Sequence, residues 1–137
     1  MASLVDLFAT GAVGGVAHGS SDDDVRRALG SPSDRSISRD PIIWKYDAVE
    51  LTFRDGHVEL LHVELDQPLP PFLDADGLNS ETSVRAFERL LDQKRIPHEP
   101  YPPLTFEPDQ IAISSGPGRA VAVFADGKLA AISSLTA

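Results

Sequence analysis

A six-residue pattern that occurs twice constrains the fold of this chain more than any other feature. Residues 53–58 read Phe-Arg-Asp-Gly-His-Val and residues 124–129 read Phe-Ala-Asp-Gly-Lys-Leu, a separation of 71 positions. Asp-Gly between two apolar runs is a strong signal for a two-residue β-hairpin, because both turn positions need a positive φ. Each copy follows a helical pattern and an earlier strand pattern. We therefore predict an internal duplication, in which a helix and three strands are used twice.

Runs rich in β-branched and aromatic residues predict the strands. In the first half they cover residues 42–46, 49–53 and 57–65, and in the second half residues 110–114, 119–124 and 128–135. Within the run 49–53, apolar residues alternate with polar ones, which is typical of a sheet with one buried and one wet face. The run 57–65 changes phase near Leu60, and this change predicts a β-bulge.

Capping signals and apolar spacing predict two helices in the first half. Ser21 is a suitable N-cap, and the three aspartates that follow it favour the positive end of the helix dipole. Gly30 is predicted to end this helix in the left-handed conformation, and Pro32 prevents the helix from continuing. Apolar spacing predicts a shorter helix over residues 4–8, which the glycines after it would end.

The middle of the chain is predicted to be a connector followed by a third helix. Residues 67–77 contain three prolines and two aspartates, which favour irregular structure. Asn79 or Ser80 is predicted to cap a helix that runs to about Lys94. Four prolines between positions 100 and 108 then predict an irregular or edge segment.

These patterns predict a single α+β domain over residues 1–137. We expect two tandem units, about 1–66 and 78–137, each with a helix and an antiparallel β-sheet, joined by the connector 67–77. The helices are expected to pack on one sheet face, because the strands alternate between apolar and polar residues. The other face would then be free for an interaction.

Charge and composition restrict the partners. The chain has 12 basic and 21 acidic residues, a net charge of −9, and no cysteine. Nucleic-acid binders need a basic patch, so neither DNA nor RNA is expected as a partner, whereas steering by the acidic charge makes a basic protein plausible. The charge could equally serve solubility alone. No apolar run is long enough to cross a bilayer and the first residues lack a basic secretion signal, so we expect no membrane partner and a cytoplasmic location.

No motif predicts a catalytic residue, a metal or a cofactor. The four histidines lack the spacing of a metal motif, and the missing cysteines exclude thiolate ligands. The glycines of residues 11–15 do not form a phosphate-binding pattern, and neither Ser114 nor Ser133 lies in a nucleophile motif. We therefore expect a protein that is not an enzyme.

The candidate partner-binding residues lie on the three strands of the first half. Trp44 and Tyr46 share a strand face with Ile42, which favours packing in the core over use as exposed aromatic anchors, and both uses stay open. Carboxylates at polar sheet positions are usually solvated, but they could also contact a partner. The candidates are Trp44, Tyr46, Glu50, Glu59, His62 and Glu64.

Several motifs of the first half resemble those of a known family. Residues 24–32, with Leu-Gly-Ser-Pro at their end, the Trp-x-Tyr strand at 44–46 and the hairpin at 51–56 resemble the helix, LGxP, WxY and FxDGxV layout of BamE/SmpA-like domains. The tandem arrangement is similar to that of β-lactamase-inhibitory-protein-like domains. In size and acidity the chain also resembles bacterial immunity proteins, which neutralise toxins. Because BamE-like proteins are lipoproteins, the missing cysteine argues against a role in outer-membrane assembly.

The resemblance and the charge together imply an intracellular protein-binding or inhibitory module. We expect an immunity-type protein, monomeric or homodimeric, that occludes a basic partner such as a toxin. Two alternatives stay open. One is a small-ligand-binding or enzymatic domain with a pocket between the two units. The other is a structural subunit that forms homo-oligomers.

Overall fold

The computed structural model describes residues 2–36, 42–101, 110–116 and 118–135. These residues form a mixed fold of three helices, an eight-stranded antiparallel sheet and a two-stranded parallel sheet. The helices are α1 (Leu4–Thr10), α2 (Asp22–Leu29) and α3 (Val84–Gln93). The strands are β1 (Ala2–Ser3), β2 (Asp34–Arg35), β3 (Ile42–Tyr46), β4 (Val49–Arg54), β5 (His57–Glu64), β6 (Leu73–Asp74), β7 (His98–Pro100), β8 (Gln110–Ser115), β9 (Ala120–Ala125) and β10 (Lys128–Ser134).

The large sheet consists of two sets of consecutive strands that meet in its middle. Its order is β2-β3-β4-β5-β10-β9-β8-β7, and all of its strand pairs are antiparallel. The central pair joins β5 of the first half to β10 of the second, with Val63 opposite Ile132. The short strands β2 and β7 form the two edges, which limits the length of backbone left unpaired there. The small sheet pairs β1 with β6, and only β6 lies within the predicted connector 67–77.

The six strands predicted from composition correspond to β3, β4, β5, β8, β9 and β10, each within one residue at either end. Both Asp-Gly hairpins are confirmed, because each turn has φ values of 53° for Asp and 77° for Gly. The bulge near Leu60 is also confirmed. Thr52 pairs with Leu60 and Phe53 pairs with Val58, so Glu59 is the extra residue of β5. Strand β7 is an edge strand that ends at Pro100, the first of the four prolines predicted to lie in an irregular or edge segment, and residues 102–109 of that segment lie outside the described residues.

The helix starts agree with the sequence for α2 but not for α3. Ser21 caps α2, and its hydroxyl accepts a hydrogen bond from the Asp24 N–H. For α3 the predicted cap at Asn79 or Ser80 is wrong, because Ser83 is the N-cap. The Asn79 side chain instead accepts from the Glu81 N–H at 2.8 Å and closes a separate turn. Gly30 also differs from the prediction, since its φ of 82° and ψ of −161° are not left-handed helical.

Most of the buried hydrophobic residues form one continuous cluster to which all three helices contribute. Phe8 of α1 packs edge-to-face on Phe87 of α3 at 5.2 Å, and Phe87 packs on Phe124 of β9 at 5.5 Å between ring centroids. At the other end of the sheet, Arg26 of α2 lies 5.3 Å from the centre of the Trp44 ring. Alternation in β4 follows the prediction, since its apolar residues are buried while Glu50 and Thr52 are half-buried.

Candidate functional site

One side of β3, β4 and β5 carries most of the polar residues of the sheet, and we call it the polar face. It is the side of Lys45, Glu50, Glu59, His62 and Glu64. The strand register places Lys45 opposite Glu50, Glu50 opposite His62, and His62 opposite Ser133 of β10. Antiparallel pairing of neighbouring strands therefore brings residues that are distant in sequence into one row across the centre of the sheet.

Two ion pairs stabilise the outer part of the polar face. Lys45 Nζ lies 3.2 Å from Glu50 Oε1, and Arg54 Nε lies 3.1 Å from Glu59 Oε1. All four side chains are at least one-third exposed. Exposed pairs of this kind contribute only about 0–1 kcal/mol to stability.

His62 links the two halves of the sheet at the centre of the polar face. Its Nδ1 lies 2.5 Å from Ser133 Oγ, and its Nε2 lies 2.7 Å from Glu64 Oε1. An ionised carboxylate can only accept hydrogen bonds, so Nε2 carries the hydrogen and donates it to Glu64. In a neutral imidazole Nδ1 is then an acceptor, and the Ser133 hydroxyl donates to it.

An acidic groove lies where β3, β4 and β5 reach the edge of the polar face. Its volume is about 550 Å³. The charged residues that line it are Asp34, Lys45, Asp47, Glu50, Glu64 and Asp66. Five carboxylates thus surround one ammonium group, which gives the groove a formal charge of −4. A low-dielectric surface that concentrates one sign of charge raises the local potential felt by an approaching cation.

A second groove, of about 300 Å³, shares Glu64 and Asp66 with the acidic groove. It continues to Asp126 and Lys128 at the start of β10, so its walls come from both halves of the chain. Lys128 Nζ lies 2.9 Å from Glu81 Oε2. This hydrogen bond, together with the charges of Glu81 and Asp126, raises the pKa of Lys128.

The structure separates the six predicted partner-binding residues into two groups. Glu50, Glu59, His62 and Glu64 lie together on the polar face. Trp44 and Tyr46 lie on the opposite, buried side, with exposed fractions of 5% and 4%. Their use as exposed anchors is therefore wrong, and the alternative of core packing is confirmed.

Tyr46 is held in the core by a specific polar contact. Its hydroxyl donates to the Gly30 carbonyl at 2.8 Å, immediately after α2, and its ring packs edge-to-face on Phe72. Burial raises the pKa of the Tyr46 phenol above its ordinary value of 10.0, and the positive charges of Arg26 and Arg35 oppose part of that rise.

Sequence reasoning missed four residues of this site. Asp34 lies in a strand too short for a pattern, while Asp47 and Asp66 resemble ordinary turn residues. Ser133 lies 71 positions from His62, and only the pairing of β5 with β10 brings the two together. The alternation of apolar and polar residues, combined with a correct prediction of the strand order, could have identified Ser133 as a neighbour of His62.

Other chemistry has less support in the described part of the chain. No group of three or more His, Asp or Glu side chains there could hold a metal ion. His98 of β7 contacts Asp92 at 3.1 Å and lies near Glu88 of α3 at 3.9 Å, which ties the edge strand to the helix. None of the described helices is both long and apolar enough to cross a lipid bilayer.

Comparisons with known proteins found no matching family, no similar curated protein and no similar solved structure.

Proposed function

We propose that this chain is an intracellular protein-binding module of the inhibitory, immunity type, which covers the functional surface of a basic partner protein. The acidic groove carries this proposal, since five carboxylates from separate segments converge at one end of the polar face. A basic protein surface would complement that charge. The net charge of −9 would extend the attraction beyond the contact itself and raise the association rate.

The proposed architecture is a tandem repeat with the helices on one sheet face. Ser21, the cap of α2, forms a β-bridge with His57, and Ser83, the cap of α3, forms one with Lys128. His57 and Lys128 each directly follow an Asp-Gly turn. The repeated bridges support a duplication.

The position of the helices supports a free polar face. The strand register places six apolar residues on one side of the sheet: Trp44, Leu51, Leu61, Val63, Ile132 and Phe124. Trp44 contacts α2 and Phe124 contacts α3, so both helices contact the side of the sheet opposite Glu50 and His62. A partner could then lie across the polar face without displacing α2 or α3.

The binding mechanism would combine steering with a few contacts at the centre. Charges at the rim of an interface mainly change the association rate, whereas contacts near the centre set the dissociation rate. The acidic groove is the steering element in this arrangement. His62, held by Ser133 and Glu64, is a preorganised central contact because its ring orientation is fixed before binding.

The test is affinity capture from a native lysate, followed by affinity measurements on the purified partner. The double variant E50Q/E64Q removes two charges from the groove, while the control D23N/E88Q removes two charges from the helices. We expect E50Q/E64Q to weaken the complex at least about tenfold and the control to leave it nearly unchanged, because only the groove charges lie at the contact.

The dissociation constant of the unmodified protein should also rise as salt is increased, since screening shortens the reach of exposed charges to about 10 Å at 0.1 M. Equal weakening by both double variants, or affinity that does not respond to salt, would contradict docking through the groove.

The second groove favours one alternative function. Its position between Glu64 of β5 and Lys128 of β10 is where a ligand site between the two units would lie. Ligand binding would appear as thermal stabilisation by a small molecule that the variant K128A abolishes and E50Q leaves intact.

A further inference from the structure

We propose that Ser133 is a nucleophile activated by His62, with Glu64 as the positioning residue, and that it accepts short acyl groups from activated esters. The geometry is a continuous relay, with 2.5 Å from Ser133 Oγ to His62 Nδ1 and 2.7 Å from His62 Nε2 to Glu64 Oε1. A nucleophile that hydrogen-bonds a base, which a third group in turn orients, is the arrangement used in acyl transfer on unrelated folds.

When the His62 ring is neutral, its tautomer is the one that the reaction needs. Glu64 fixes the hydrogen of the neutral ring on Nε2, so the lone pair of Nδ1 points at the hydroxyl of Ser133. The three side chains come from paired positions of β5 and β10, in which Ser133 lies opposite His62 and Ala131 lies opposite Glu64. Two hydrogen-bonded strands hold this geometry more precisely than loops would.

The surroundings of Ser133 suit a small acyl group. Val121 lies directly opposite Ser133 on β9, and Ala131 and Val123 form the next pair on the same side. Val121 and Ala131 are almost fully buried, with exposed fractions of 1% and 7%, and Ser133 is half-buried, so only a small acyl group would fit beside the hydroxyl. The side chain of His62 is 25% exposed and that of Glu64 is 44% exposed, so an ester in solution can reach the relay.

The reaction follows from these roles. Ser133 Oγ attacks the ester carbonyl, and its proton moves to His62 Nδ1 as the new C–O bond forms. The tetrahedral intermediate then loses the alcohol, which takes the proton from His62, and an acyl-serine remains. Water attacks the acyl-serine in the same way, releases the carboxylic acid and restores the Ser133 hydroxyl. The net change is ester plus water to acid plus alcohol.

This reactivity goes beyond the proposed binding function and does not depend on it. It belongs to the isolated chain, whereas binding needs the partner. A protein that passes one test and fails the other would separate the two proposals.

The probe is 4-nitrophenyl acetate, used with the isolated full-length chain. We expect release of nitrophenolate together with an acetyl group that peptide mass mapping places on Ser133. S133A should abolish that adduct. H62Q should lower the rate constant for its formation about 100-fold or more, which is the usual contribution of a general base.

Glu64→Gln tests the positioning role separately. An amide can donate a hydrogen bond to Nε2, which would move the ring hydrogen to Nδ1 and block proton acceptance from Ser133. We therefore expect E64Q to slow acylation and to change its pH profile while Ser133 remains accessible. H57Q and S80A are the controls for reaction at another histidine or serine, and both should react as the unmodified chain does.

Circular dichroism of each variant would establish that the fold is intact. An acetyl group on other residues only, or Ser133 acylation that H62Q and E64Q leave unchanged, would overturn the proposal.

Discussion

At the scale of single residues, strand alternation decides which side chains are buried and which are exposed. Trp44 and Tyr46 alternate with Lys45 along β3 and lie on the opposite side of the sheet, where their exposed fractions are 5% and 4%. Both aromatic residues therefore contribute apolar burial to the core rather than binding energy to an interface. Tyr46 shows the consequence for stability, since its polar group needs a buried partner and finds one in the Gly30 carbonyl.

The substitution Tyr46→Phe tests that contact. At neutral pH we expect the free energy of unfolding to fall by about 1 kcal/mol, because the hydrogen bond to Gly30 is lost while the ring still packs on Phe72. Urea unfolding measures the change. Tyr101→Phe, at the other tyrosine of the chain, is the matched control, and its effect should be smaller.

The same residue predicts a dependence on alkaline pH. The raised pKa means that the folded protein binds the Tyr46 proton more tightly than the unfolded chain does. The associated stability is fully present below the ordinary tyrosine pKa of about 10 and is lost as the pH rises through the folded-state pKa. We expect the free energy of unfolding to decline more steeply above pH 10 in the unmodified protein than in Y46F. Parallel declines in the two proteins would contradict a raised pKa.

At the scale of elements, competition between local hydrogen bonds decides where α3 begins. Asn79 has the composition of a cap, but its side chain and the Thr82 hydroxyl bond within one turn instead. Ser83 then takes the N-cap position, and its hydroxyl accepts from the Ala86 N–H at 3.1 Å. Helix propensity permits a cap at Asn79 or at Ser83. The β-bridge from Ser83 to Lys128 favours the cap at Ser83, because it fixes the start of the helix against the sheet.

Ser83→Ala should therefore destabilise the protein by about 1 kcal/mol, which is the usual cost of losing a serine cap. Ser80→Ala is the control, because the sequence alone predicts the cap there, and it should change stability by no more than about 0.5 kcal/mol. Thermal and urea unfolding of both variants measure the difference. A larger loss in S80A than in S83A would show that the helix starts earlier.

At the scale of the whole molecule, one core joins the two halves of the chain. Edge-to-face contacts among the rings of Phe8, Phe87 and Phe124 connect α1, α3 and β9. The central pair of strands, β5 and β10, contributes to the same core. Halves that share a core should unfold together rather than in sequence. Trp44, the only tryptophan, lies in the first half and reports on it by fluorescence.

Phe87→Ala provides the test. The ring is fully buried, so we expect a loss of about 3–5 kcal/mol. If the halves are coupled, Trp44 fluorescence and circular dichroism will shift to the same lower urea midpoint. Ile111→Ala removes a side chain that is 44% exposed in the same half, and it should shift both signals only slightly. A Trp44 transition that stays unchanged in F87A would show that the halves unfold independently.

The sequence determined the local structure of this protein. Asp-Gly at positions 55–56 and 126–127 dictates the hairpins, because few residue pairs tolerate positive φ twice, and alternation dictates which residues of β4 are buried. The tertiary structure alone decided that the two sets of strands meet at β5 and β10. Pairing of β5 with β10 depends on burying two apolar faces at once, a non-local gain that no short pattern encodes. That pairing, and not any motif, brings Ser133 to His62 and closes the groove around Glu64.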